Sequence, residues 1–231
     1  MRIPKINDYD TSADSEIRSL EALDIPRRYY NLGNLKDKTK WIKSCETLCR
    51  SSLEYKDLIE YLKVKMGMNF CSFFHNVSKE DFVKTRIRIE IHHEPFTLFD
   101  IVAIVLQKRL DETDPHERID MYDIADEVMQ LHYRGHVGLI PLSATVHELV
   151  HSGNLFVPLQ FIDEGFYLFF QEYKDTIKTM DGLVDTLKAK VNLSKKYKEN
   201  PEEFIAILKK RYIYVANKYD SVPKNVQKYE E

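Results

Sequence analysis

The chain has 231 residues, of which 43% are hydrophobic and 12% aromatic, a composition typical of a folded globular protein. Its formal net charge of -3 excludes the strongly basic character of a general nucleic-acid coat protein, although local basic patches can still bind phosphate. The three cysteines argue against a disulfide framework, and no apolar stretch is long enough for a leader or a membrane span, so we expect a cytoplasmic protein without membrane contact.

The first predicted elements are irregular and then helical. Residues 1–40 mix charged residues, prolines and tyrosines without a sustained period, which predicts loops and short helical turns. Residues 41–82 are predicted to be a helical segment. Between Trp41 and Met66 apolar residues recur at spacings of three and four, which indicates one or two amphipathic helices.

Residues 83–156 begin with a different period. In TRIRIEIHHEP, residues 85–95, isoleucines alternate with polar residues, which predicts a strand with one buried face that is stopped by the proline. Such a strand places His92 and His93 at its end.

A second strand and a short helix are predicted further along the same segment. Residues 98–133 are typical of two helices, and HVGLIPLS, residues 136–143, is a short apolar run that favours a strand. The following helix can begin at an N-cap, either Ser143 or Thr145, and Gly153 is well placed to end it.

This short helix carries a candidate metal site. His147 and His151 are four residues apart and therefore lie on one helical face, where both imidazoles can bind a single divalent ion. With Glu148 they form His-Glu-x-x-His, which suits a zinc metallopeptidase that uses Glu148 as general base and Glu164 as third ligand. The proline and glycine on either side confine the helix to a couple of turns, which counts against the peptidase.

The order strand, strand, helix, with paired histidines ending the first strand and His-x-x-x-His on the helix, resembles the HNH, or ββα-metal, nuclease family. Its colicin-type branch is the most similar. The resemblance covers residues 85–154. It implies a small ββα-metal core. Together with the helices predicted before, inside and after this core, it gives an α+β, mainly helical fold class.

The resemblance also implies roles for individual residues. His92, His147 and His151 would be metal ligands, His93 would be the general base that takes a proton from the attacking water, and Glu90 would orient a ligand or a substrate-binding arginine. Three imidazoles favour Zn, Ni, Co or Mn over Mg as the single divalent ion. Because neighbouring residues of a regular strand face opposite ways, this interpretation requires the backbone to turn at the histidine pair.

The function implied is that of a metal-dependent endonuclease that hydrolyses DNA phosphodiester bonds, with DNA as partner. Two alternatives remain open: the zinc metallopeptidase, and a catalytically weak DNA-binding or assembly protein that keeps the metal for stability. The second alternative rests on Gly138, which stands where the nuclease family usually has an asparagine that positions the base.

A second, structural zinc site is a further hypothesis. Four soft ligands, Cys45, Cys49, Cys71 and His75, occur as C-x3-C followed after a gap by C-x3-H. The alternative is that these small thiols are ordinary core residues on the apolar face of a helix.

Residues 157–231 are predicted to be a helical, locally basic C-terminal region. Its apolar stripe includes Ile205 and Val215, and its tyrosines at 212, 214 and 219 could stack on bases. These basic side chains can contact a DNA backbone, or can simply form a solvated face with acidic partners. They are Lys188, Lys190, Lys195, Lys196, Lys198, Lys209, Lys210 and Arg211.

Overall fold

The computed structural model describes residues 30–73, 87–114 and 119–202. In chain order its elements are α1 (Leu35–Ser51), α2 (Leu53–Val64), β1 (Ile89–His93), α3 (Leu98–Glu112), α4 (Met121–Tyr133), β2 (Leu139–Ser143), α5 (Ala144–His151), α6 (Gly165–Thr179) and α7 (Leu183–Glu199), with one 3-10 turn at Leu159–Phe161. This confirms the predicted α+β, mainly helical fold class.

The segment from Trp41 to Met66 forms two helices, α1 and α2, separated at Ser52. The backbone of Ser52 is extended, with φ -62° and ψ 153°, and its hydroxyl accepts a hydrogen bond from the N–H of Tyr55. Helix α1 begins at Leu35, inside the segment predicted to be irregular, because the Asn34 side chain caps its first turn.

The main core lies between α1, α3, α4 and α6. Helix α3 runs through its centre, and every side chain from 101 to 106 is buried. A helix that is apolar on all sides over six residues needs neighbours on all sides. Phe169, Tyr173 and Ile177 of α6 contribute their apolar face to the same core.

β1 and β2 form an antiparallel pair in which Ile91 lies opposite Pro141. The N–H of Glu94 donates to the carbonyl of Gly138 at 3.1 Å. In an antiparallel pair every second residue bonds to the partner strand, so Ile91, three residues before Glu94, is one of the residues that do not bond to β2. At this position the missing N–H of Pro141 costs no bond to β1. Its carbonyl points to the other edge and accepts from the N–H of Ser72 at 3.0 Å.

Helix α5 follows β2 without a connecting loop. Ser143, the last residue of β2, is also the N-cap of α5, and its hydroxyl accepts from the N–H of Val146. Gly153, with φ 68°, lies just beyond the helix in the left-handed region that terminates helices. The predicted order of strand, helical insertion, strand and short helix is therefore present.

Helix α7 packs mainly against α6 and the 3-10 turn. Its buried residue Ser194 accepts a hydrogen bond from the N–H of Leu159 at 3.0 Å. The predicted apolar stripe from 205 to 215, the basic residues 209–211 and the three tyrosines lie outside the described residues. Within the ranges given above, no helix has the length and apolar character needed to cross a membrane.

Candidate metal centre

Three of the predicted ligands come together on the surface between β1 and α5. One ring nitrogen from each of His92, His147 and His151 lies within 4.8 Å of the other two. The ring centroids are 5.0 Å apart for His92 and His147, 5.0 Å for His92 and His151, and 4.4 Å for the two helical histidines. We call these three residues the histidine triad.

Local structure explains why the triad forms. His147 and His151 share one face of α5, while Val146 and Leu149 on the other face are buried. Because α5 starts at the last residue of β2, it lies close to the neighbouring strand β1, where His92 is 4% exposed. The geometry suits one transition-metal ion held by three imidazoles.

A carboxylate supports each side of the triad. Glu90 Oε2 lies 2.6 Å from His147 Nδ1, and Glu90 also pairs with Arg88. The other ring nitrogen of His147, Nε2, faces away from Glu90 and lies 3.0 Å from Nε2 of His151. A carboxylate that accepts from the second ring nitrogen is the usual support of a metal-binding histidine.

The second carboxylate is that of Glu94, which the sequence analysis did not predict as part of the site. Its Oε2 lies 3.3 Å from His92 Nε2, and the residue is 5% exposed. Lys190 of α7 forms an ion pair with the other oxygen of Glu94 and donates to the carbonyl of Pro95 at 2.9 Å. The alternation of β1 could have revealed Glu94, because Glu90, His92 and Glu94 are each two residues apart and share a face.

The environment keeps the helical ligands neutral. Burial, followed by the nearby His92, lowers the pKa of His147 to about 4 against the opposing effect of Glu90. The same two causes, in the same order, lower the pKa of His151. A neutral imidazole has the free lone pair that metal binding requires, so both rings are suited to binding at physiological pH.

A solvent-open groove of about 510 Å³ runs beside the triad and along β1. Its wall includes three basic side chains from separate elements, Arg50 of α1, Lys63 of α2 and Arg88 next to β1. Tyr55 adds an aromatic ring. The groove thus combines a candidate cation site with positive side chains, which favours a ligand that carries negative charge.

His93, the predicted general base, lies on the opposite face of β1 from the triad. The register is regular, with His92 opposite Ile140 and His93 opposite Leu139, so the required turn of the backbone at the pair is absent. His93 is 4% exposed and its Nε2 lies 2.8 Å from Nε2 of His132. Its ring still reaches the wall of the groove.

The model of the bacteriophage G278-like virion protein family matches residues 3–221, which is nearly the whole chain. The chain belongs to this family. No curated protein and no solved structure matched it.

Membership of the virion protein family corrects the resemblance drawn from the sequence. The assignment to the HNH nucleases is wrong, since the matching family is that of a virion protein and no HNH family matches. The motif behind the resemblance is short, and it describes a local strand, strand, helix arrangement rather than the chain as a whole. That local arrangement and the histidine triad are properties of this structure and stand without the family assignment.

Gly138 shows how this chain departs from the nuclease pattern. A Cβ atom added at Gly138 would lie 2.0 Å from the Glu94 carbonyl oxygen, 2.7 Å from Cβ of Phe166 and 2.9 Å from Cγ2 of Ile162. An asparagine does not fit there without moving the backbone. In this virion protein the position serves close packing of the strand pair against the start of α6.

The two carboxylates that the peptidase alternative needs beside His147 and His151 do not join them. Glu148 is exposed on α5 and is absent from the groove wall, and Glu164 is the exposed N-cap of α6. Within residues 30–73, 87–114 and 119–202, the triad is the only group of three or more His, Cys, Asp or Glu side chains close enough to share an ion. The third side chain close to His147 and His151 is thus His92.

The cysteines of the second predicted zinc site do not lie together. Cys45 and Cys49 are buried thiols in the main core, whereas Cys71 belongs to a separate apolar cluster beneath β2 and α5. His75 lies outside the described residues. The three cysteines are buried, two of them in the main core and the third in the separate cluster.

Proposed function

We propose that this chain is a component of the phage particle that binds one divalent transition-metal ion at the histidine triad and hydrolyses DNA phosphodiester bonds in the adjoining groove. The observation that carries the proposal is the meeting of three imidazoles, two of them supported by carboxylates, with a basic groove. The description of the family supports the location, and a virus particle encloses nucleic acid.

The donor set supports the choice of metal. Imidazole nitrogen suits Zn, Ni, Co and Mn, while Mg prefers oxygen ligands. Three protein ligands leave a coordination position for a substrate oxygen or for water, as in catalytic rather than closed structural zinc sites. His151 is exposed on the groove side, so an incoming group has access to this position.

The basic side chains of the groove support a phosphate-bearing substrate. Arg50, Lys63 and Arg88 come from three parts of the chain and line one groove, where they can contact successive phosphates of a DNA strand. Two of these charges have acidic neighbours, since Arg50 pairs with Glu46 and Arg88 with Glu90. We therefore expect moderate rather than tight binding in the absence of the metal.

The chemistry divides between the ion and the chain. A divalent ion at the triad supplies Lewis acidity that polarises a phosphate and stabilises charge on the departing oxygen. Arg50, Lys63 and Arg88 bind and orient the substrate, while Glu90 and Glu94 fix the ligand rings. Nε2 of His93 is engaged with His132 and the residue lies on the face of β1 away from the triad, so we assign His93 no role in removing the proton from the attacking water.

The first test is conversion of supercoiled plasmid to nicked or linear DNA by the purified full chain with Mg, Mn, Co, Ni or Zn. We expect cleavage with the transition metals and a loss of at least about 100-fold in His151→Ala, which removes an exposed ligand. His136→Ala is the matched control, because His136 is a partly exposed histidine paired with Glu172, outside the groove. Equal cleavage in both variants would contradict the proposal.

Two further variants separate the alternatives. Glu148→Gln should leave DNA cleavage unchanged, whereas a peptidase would depend on this carboxylate. His93→Ala should reduce cleavage far less than His151→Ala does, because His93 faces away from the triad. A protein that binds the ion tightly and cuts no DNA with any of these metals would instead be a particle component in which the ion joins β1 to α5.

A further inference from the structure

Helix α7, the last helix of the described residues, contributes a side chain to the support of the triad. Lys190 reaches from α7 to the end of β1, where it pairs with Glu94 and donates to the carbonyl of Pro95. The two acceptors fix the ammonium group, and the side chains of Lys190 and Glu94 are only 20% and 6% exposed. An ion pair this well shielded from solvent holds both partners in one geometry.

The Glu94 carboxylate has a different partner on each oxygen. Lys190 occupies Oε1, which leaves Oε2 to accept from Nε2 of His92 at 3.3 Å. With the Nε2 proton directed at Glu94, His92 has its lone pair on Nδ1. On α5 the arrangement is reversed, because Nδ1 of His147 lies beside the Glu90 carboxylate at 2.6 Å, whereas Nε2 of that ring faces Nε2 of His151 at 3.0 Å.

We infer that Lys190 is a positioning residue of the metal centre, which through Glu94 orients His92 so that the ion is bound by Nδ1 of His92 and by Nε2 of His147 and of His151. The inference rests on the proposed metal site and adds the donor atoms and the dependence on α7. The ion would then join three elements, β1, α5 and, through Lys190, α7. Loss of Lys190 frees the carboxylate to rotate and leaves the His92 ring without its support.

The test is titration of the full-length apoprotein with Co²⁺, followed by its visible spectrum, for wild type and Lys190 variants. Lys190→Met should bind Co²⁺ about 10–100-fold more weakly, the usual cost of removing an outer support of a ligand, and with an altered spectrum. Lys190→Arg, which keeps a cationic donor, should restore most of the affinity. Lys188→Met is the matched control, since Lys188 lies on the same helix and pairs with Asp185 at the surface.

Further measurements make the result specific. Long-range ¹H–¹⁵N spectra of the Zn²⁺ form should show His92 bound through Nδ1 and the two helical histidines through Nε2. Binding of His92 through Nε2, or equal Co²⁺ affinity and spectra in wild type and Lys190→Met, would overturn the inference while leaving the metal site itself intact. If Lys190→Met does not fold, Glu94→Gln takes its place and the same loss of affinity is expected.

A wild-type protein that binds neither Co²⁺ nor Zn²⁺ would overturn both the proposed function and this inference. The thermal midpoint of each metal-free variant, measured in parallel, separates a loss of affinity from a loss of fold. A variant with the wild-type midpoint and weak Co²⁺ binding supports positioning.

Discussion

The buried pair His93 and His132 makes folding depend on pH at the scale of single residues. His132 Nδ1 donates to the Val128 carbonyl at 2.7 Å, so its Nε2 accepts the proton that His93 carries on Nε2. Burial is the main cause that lowers the pKa of His132 to about 4, helped by the charge of Arg50 and opposed by the bond to Val128. Both rings are therefore neutral in the folded protein at pH 7.

We predict that acid destabilises the metal-free protein partly through His132. Its pKa is about 4 when folded and about 6.5 when unfolded, so below pH 6.5 the unfolded chain binds the proton first. The free energy of unfolding should fall by about 2 kcal/mol between pH 7 and pH 5 from this residue alone. Denaturant unfolding at the two pH values, in the presence of a chelator, measures this difference in the free energy of unfolding. In His132→Gln the difference between pH 7 and pH 5 should be smaller by about the same 2 kcal/mol.

The control is again a histidine of the same chain. His136→Gln alters a partly exposed ring near the surface and should keep the wild-type difference between pH 7 and pH 5. If His132→Gln and His136→Gln gave the same pH dependence, the buried pair would not be the source.

At the scale of secondary-structure elements, Gly138 decides how closely β1, β2 and α6 approach one another. A methyl group at this position would contact the backbone oxygen of Glu94 at 2.0 Å, so Gly138→Ala must displace one strand. The expected loss is about 2–3 kcal/mol in the free energy of unfolding, together with weaker metal binding, because Glu94 supports His92. Gly33→Ala, whose Cβ would meet only the Asn31 side chain at 3.2 Å, should change stability by less than about 0.5 kcal/mol.

Chemical denaturation of the two glycine variants checks this prediction, with Co²⁺ titration on whichever variants fold. Wild-type stability in Gly138→Ala would mean that the strand pair accommodates a side chain.

The features that could be predicted from the sequence are those that depend on residues close together in the chain. The two-residue period of β1 and the cap and spacing of α5 are local, so the triad could be predicted from His92, His147 and His151 alone. The strict alternation of β1 also predicts that His93 lies on the opposite face from His92. The role of general base for His93 required a turn of the backbone at the pair, and β1 has no such turn. Lys190 is distant in sequence from Glu94, and no local pattern encodes a contact of that kind.

At the scale of the whole molecule, an ion at the triad would connect parts of the chain that the helical insertion separates. β1 and α5 are divided in sequence by α3 and α4, which supply much of the main core, whereas β2 and α5 pack on the second apolar cluster. Binding of the ion to the folded state alone therefore stabilises the contact between β1 and α5. Unfolding of the chain destroys the site, so the binding free energy adds to the stability.

We therefore predict that Zn²⁺ at about 100 times its Kd raises the free energy of unfolding by about 2.7 kcal/mol, or the thermal midpoint by about 5–10 °C. Differential scanning calorimetry with Zn²⁺ and with a chelator measures the shift, which His151→Ala should abolish and His136→Ala should keep. A shift that survives in His151→Ala would locate the stabilising ion away from the triad. Because this measurement needs no DNA, it tests the metal centre separately from catalysis. A large thermal shift in a protein that cleaves no DNA would mean that the ion stabilises the fold of the particle component and has no catalytic role.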